Sequence, residues 1–350
     1  MCGPNGISGT GFGAEADTYM TTRRTRWLVC CLLCFSARLH GSMTLFVEEP
    51  YGPFGALSPT GHAAIYLTNV CAETPTSLRR CRPGESGVVI SRYSHIHGYD
   101  WIAIPLVPYL YAVDQPDKIL EWSNPKAVSV LRQSYRNQYL RELVPEDDSS
   151  GAWTQLVGVA YNRRIYGLQI ETTEEQDDRL IQELNSKPNR SHFNFFFHNC
   201  ADFARKLIDL NHPKSARRSF SADLGFTTPK QIAKCLVNYG KLHPDLRLSI
   251  FVIPQIPGEL ARSHKVRGVC EALVRSKKYV VPLVFLNPWV TAGFFAGYIT
   301  GGRFNLARSS PSVAVVPQQP RELESWLDSR QSGGWDNVVT VRNKSEKGSE

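Results

Sequence analysis

A chain of 350 residues has room for one sizeable core with extensions, or for two small domains. An apolar share of 42% and a charged share of 21% belong to a globular protein and exclude a fibrous or wholly disordered chain. The net charge of +8 is spread over short runs at Arg23–Arg26, Arg79–Arg82, Lys214–Arg218 and Arg275–Lys278, whereas nucleic-acid binding needs it gathered on one element, so that partner class is set aside.

Met1 to Asp17 is Gly-rich and without apolar period. Met20–Arg26 is basic, and Trp27–Ala37 is apolar and ends in small residues. A basic stretch before a short apolar run is the pattern of an export signal, and the run is too short to span a bilayer. Residues 1–44 are therefore expected to be a leader whose true start is Met20. The protein is expected in the periplasm or on the outer face of a bacterial cytoplasmic membrane.

Leu45 to Pro59, rich in Gly and Pro, reads as an extended lead-in. Gly61-His62-Ala-Ala-Ile-Tyr-Leu67 reads as a strand, as does Gly87–Tyr93. Trp101–Tyr111 is apolar, but Pro105 and Pro108 argue against a regular helix or central strand, leaving an aromatic loop. Asn124–Leu143 has helical character, with Pro125 suited to a first turn. Trp153–Val159 and Arg164–Gln169 suggest a strand pair, or a strand leading into the next helix. Thr172–Leu184 is the clearest helix, a Thr cap followed by acids in the first turn. Phe193–Phe197 reads as a short aromatic strand.

The second half changes composition near Ser276. No charged residue occurs from Tyr279 to Gly302, and basic residues flank the run, so 276–302 is a candidate transmembrane segment. Residues 45–275 would form the folded domain. Residues 303–350 form a polar tail expected to be disordered, apart from a short turn near Glu322–Leu327.

Cysteines narrow the chemistry. Outside the leader the chain keeps Cys71, Cys81, Cys200, Cys235 and Cys270. In an oxidising compartment Cys71–Cys81 is an easy local bridge and Cys235–Cys270 could be a second, which leaves Cys200 over. Cys200 opens His198-Asn-Cys-Ala-Asp-Phe-Ala-Arg-Lys-Leu-Ile-Asp-Leu210, whose Phe203, Leu207 and Leu210 fall on one helical face. Asn199 is a good cap, so Cys200 takes the first helical position, where free N–H groups and the helix dipole are expected to lower its pKa and to stabilise an oxyanion. A thiolate needs an imidazole partner, and His62 at a strand start could project one from a rigid element. His198, two residues from the sulfur, is expected to pack near the cap, and Asp202 to complement the dipole. His95 and His97 have the spacing of two metal ligands on one strand, but no second ligand cluster accompanies them. No metal or other cofactor is called for.

Asn-Cys-x-x-Phe-Ala at a helix start, downstream of Gly-His-x-x-Ile-Tyr-Leu at a strand start, resembles the circularly permuted NlpC-like branch of the papain superfamily. That branch includes lecithin:retinol acyltransferase-like enzymes and bacterial families of unassigned function, and its histidine precedes its cysteine, as here. The resemblance covers roughly His62 to Leu210. It implies an α+β fold in which the cysteine helix packs on a small antiparallel sheet. It also implies hydrolysis or transfer at an amide or ester through an acyl-thioester. A third, polar residue orients the imidazole in that family; Ser91, Tyr93, His95 and His97 are candidates here, with His95 favoured by chemical type. The expected function is a cysteine hydrolase or acyltransferase acting on peptide or lipid-like substrates of the cell envelope. The alternative is a membrane-anchored binding or assembly module of the same fold without turnover.

Overall fold

The computed structural model describes residues 41–52, 59–93, 96, 98–144, 152–190, 193–194, 196–306 and, for the backbone, 313–315. Contacts divide the chain into Met1–His40 and Gly41–Glu350, and every element below belongs to the second unit. The segments expected to be an export signal (20–37) and a turn near 322–327 lie outside the described residues, as do His95 and His97.

The protein is a mixed α+β fold. Its main sheet runs, in spatial order, β6 (Ile102–Pro105), β5 (Val88–Ser91), β2 (His62–Leu67), β1 (Gly41–Glu48), β7 (Ile165–Thr172), β8 (Ser249–Ile253) and β9 (Val313–Val315). All neighbours pair antiparallel except β8 and β9. A separate hairpin joins β3 (Val70–Thr74) to β4 (Ser77–Arg80), with Cys71 and Cys81 linked by a disulfide.

The centre of the sheet, β1, starts four residues before the expected domain boundary and replaces the first part of the expected lead-in. It carries no apolar–polar alternation because it is covered on both faces. Met43, Leu45 and Val47 join one core, together with Leu180 and Leu184 of α3 (Glu174–Asn185), Phe203, Leu207 and Ile208 of α4 (Cys200–Asn211), and Leu236 of α6 (Pro229–Leu242). Phe46 joins the other, with Tyr109 and Leu110 of α1 (Leu106–Tyr111) and Val128 of α2 (Pro125–Tyr135). A strand buried on both faces loses the period-2 signal that marks a half-exposed one.

Other segments depart from expectation as well, β9 among them, a strand within the tail expected to be disordered. Trp101–Tyr111 is an edge strand followed by α1, and Pro105 sits at the strand's end where its missing N–H breaks no ladder bond. Trp153–Val159 contains a 3₁₀ turn over Ala152–Gln155 and no strand. Around Phe196 and Phe197 the chain turns, closed by an Asn194–His198 bridge, where a strand was expected.

The candidate transmembrane run is split: α8 (Lys277–Leu286) ends at Asn287, and α9 (Pro288–Gly297) begins at once. Pro288 has no N–H to continue α8, and the Asn287 side chain caps the new helix by accepting from Val290 N. Among the described residues no helix is long and apolar enough to cross a membrane.

Candidate active site

Local chemistry sets the position of Cys200. Asn199 has extended backbone, and its Oδ1 accepts the Asp202 N–H at 2.9 Å, so α4 begins at Cys200 as its cap residue requires. Asn199 Nδ2 donates to Thr227 O at 3.2 Å, anchoring the helix start to the chain between α5 (Phe220–Asp223) and α6. Asp202 is buried beneath, accepting from Arg218 Nη2 at 2.7 Å and Thr227 Oγ1 at 2.5 Å. It is a structural anchor of the cap region. The His198 ring nitrogen Nδ1 lies 3.2 Å from the Phe197 carbonyl, a local contact beside the cap.

His62 opens β2. Gly61 precedes it at φ +73°, and a Cβ there would lie 2.1 Å from the Glu48 carbonyl, so only glycine lets the strand start this close to β1. His62 Nε2 lies 2.7 Å from Ser91 Oγ, and that hydroxyl donates to the Ala63 carbonyl at 2.8 Å. A hydroxyl has one hydrogen; with it directed at a carbonyl, Oγ accepts from Nε2–H and leaves Nδ1 as the basic nitrogen. The Tyr93 ring stacks on the imidazole, centroids 5.0 Å apart at 23°.

Cys200 and His62 line one cavity of about 350 Å³, walled by Tyr51, Tyr93, Phe193 and Phe226. The sulfur accepts from the backbone N–H of Ala63, the residue after His62, and from that of Ala201.

Beneath the pair lies a charge network. Glu48, opposite His62 in the β1–β2 register, is fully buried and pairs with Arg163 at 2.8 Å, while accepting the Tyr109 hydroxyl. Burial raises the Glu48 pKa and Arg163 opposes that rise.

Protonation at the site differs from expectation. Burial pushes the Cys200 thiol up to about 11, outweighing the two N–H donors and Arg163 that pull it down. Burial and then the Arg163 charge lower His62 to about 3. The resting pair is a neutral thiol beside a neutral imidazole. Proximity to a helix N-terminus is worth under a kcal/mol at an exposed site, and desolvation exceeds it here.

Of the two described candidates for the third residue, Ser91 is bonded to the imidazole and Tyr93 stacks on it. The sequence also gave no weight to Glu48 or Arg163; the one available signal was an acid closing the apolar run Leu45-Phe-Val47. The other cysteines stay apart. Cys235 donates to Arg217 O and Cys270 to Ser221 O, on α6 and on α7 (Val269–Arg275), so the expected second bridge is absent. Among the described residues the group with metal-ligand spacing is Cys71, Cys81 and Glu85, whose sulfurs are joined and whose carboxylate is held by Arg79.

No family model matches the chain, and no curated protein does. Among solved structures, the chain is similar to the Type VI secretion system effector TseH, at 16% identity and a TM-score of 0.28, covering 61% of this chain and 99% of that one. At that score the two backbones differ too much for one to instruct the reading of the other.

Proposed function

We propose that the protein is a cysteine hydrolase or acyltransferase of the permuted papain-like kind, with Cys200 as nucleophile and His62 as base and acid. The observation that carries this reading is the meeting of both side chains at one cavity, with Ser91 holding the imidazole by Nε2. His62 Nδ1 takes the thiol proton as the sulfur attacks an amide or ester carbonyl. The N–H groups at the start of α4 receive the developing oxyanion, and the imidazolium then protonates the leaving group. Water or a second acceptor resolves the thioester. Because the resting pair is neutral, the thiolate forms together with its imidazolium, each stabilising the other.

The aromatic wall suits an apolar or lipid-like acyl group, and export to the bacterial envelope would supply lipid esters and wall peptides. The test is a screen of purified protein against both substrate classes, with intact-mass detection of the acyl-enzyme. Turnover that disappears in Cys200→Ser and His62→Ala is expected. The raised thiol pKa favours one other reading, a binding module of the same fold, and saturable binding with no turnover by the wild type would select it.

A further inference from the structure

The hairpin of α8 and α9 exposes its most apolar residues at its turn. Phe285, Leu286 and Trp289 are 84%, 82% and 86% exposed, with Val281, Val284, Val290 and Ile299 partly exposed behind them. At that turn Asn287 N donates to Leu283 O, Val290 N to Asn287 Oδ1 and Thr291 N to Asn287 O, while Pro288 has no N–H to satisfy. After Lys277 and Lys278 the eight uncharged residues of α8 rise about 12 Å, most of the roughly 15 Å that one leaflet contributes to the hydrocarbon core of a bilayer.

Both ends of the hairpin return to a second cavity of about 510 Å³, lined by Arg275 before α8 and Arg303 after α9. Arg164, Lys230, Lys265 and Arg267 complete its cationic wall. Glu49 and Glu271 are its two carboxylates; Lys230 and Arg275 pair with Glu271, and burial raises the Glu49 pKa.

We infer that this hairpin is a monotopic membrane anchor: its tip enters one leaflet while the basic cavity at its base holds the phosphate of an anionic phospholipid. Apolar length matches one leaflet, and positive charge lies where headgroups would be. The inference stands apart from the chemistry at Cys200.

Full-length protein mixed with vesicles of phosphatidylcholine, with and without 30% phosphatidylglycerol, tests it. Emission of wild type minus that of Trp289→Phe isolates one indole, separately from any leader contact. That difference signal is expected to fall at least twofold with lipids brominated on the acyl chains, in the anionic vesicles. Arg267→Glu with Arg303→Glu is expected to weaken anionic-vesicle binding about tenfold, with unchanged Cys200 alkylation showing a retained fold. An unquenched Trp289 signal overturns the inference. So does a Trp289 contact that occurs only in a dimer of the protein, or an affinity indifferent to phosphatidylglycerol. Loss of the contact on adding soluble glycerol phosphate at millimolar concentration would place the phosphate site at the cavity and supports it.

Discussion

At the scale of single residues, Cys200 and His62 invert the usual resting state of a thiol–imidazole pair. With the thiol at about 11 and the imidazole at about 3, little thiolate exists near neutrality. The iodoacetamide alkylation rate of Cys200 should therefore keep climbing from pH 7 to 10, and a plateau below pH 8 would contradict the burial argument. Ser91 fixes the tautomer. Ser91→Ala should leave the fold intact yet change the ¹⁵N shifts of His62 from a single Nε2–H form to a mixture, and slow turnover about tenfold. Ser91→Thr, which keeps the hydroxyl, should restore both. The Glu48–Arg163 pair is sealed beneath the site, and removing one partner leaves the other charge buried alone. Arg163→Met should cost about 3–5 kcal/mol by urea unfolding, a loss that Glu48→Gln in the same chain partly recovers.

Among the elements, α3 shows how a cap and a buried acid act against each other. Thr173 and Gln176 form a reciprocal capping box, and acids fill the first turn, which is why this helix is so legible. Asp177 in that turn, however, is buried against Thr172 and Arg80, and burial pushes its pKa up to about 6. The folded state thus prefers the protonated acid. Its stabilisation is complete below pH 4, near the unfolded value, and is lost as pH rises through 6. A gap of about two pH units at about 1.4 kcal/mol each sets its scale at about 3 kcal/mol. The stability of Asp177→Asn relative to wild type should accordingly rise between pH 4 and pH 7. A difference constant across that range would place the carboxylate in contact with solvent. At the start of α4, Asn199→Ala removes the cap bond and should cost about 1 kcal/mol as well as slow Cys200 chemistry.

Over the whole molecule, one sheet separates two cores, and the candidate site lies where the start of α4 meets the beginning of β2. Glu48, Arg163, Tyr109 and Tyr93 converge there from three strands or their flanks and a helix, so site and core are one packing problem. The β3–β4 hairpin is the element held covalently. Closing a loop of separation 10 restricts the unfolded chain, and reduction should lower stability by about 2–3 kcal/mol without moving the site. Mass spectrometry under non-reducing conditions should show this one link, with Cys200, Cys235 and Cys270 free.

The amino-acid order alone determined the helix that presents Cys200, the capped helix α3, the strand that begins at His62 and the local Cys71–Cys81 pair. Each rests on contacts within about a dozen residues, where spacing and capping chemistry are complete signals. Tertiary structure decided the rest. It placed β1 at the centre of the sheet, where burial on both faces erased the alternation that would have revealed it. It brought Ser91 to the imidazole, since strand pairing sets which side chain meets it. It cut the apolar run after α7 into a hairpin. It also reversed the protonation of the Cys200–His62 pair, because desolvation depends on everything packed around a group and is written in no short stretch of chain.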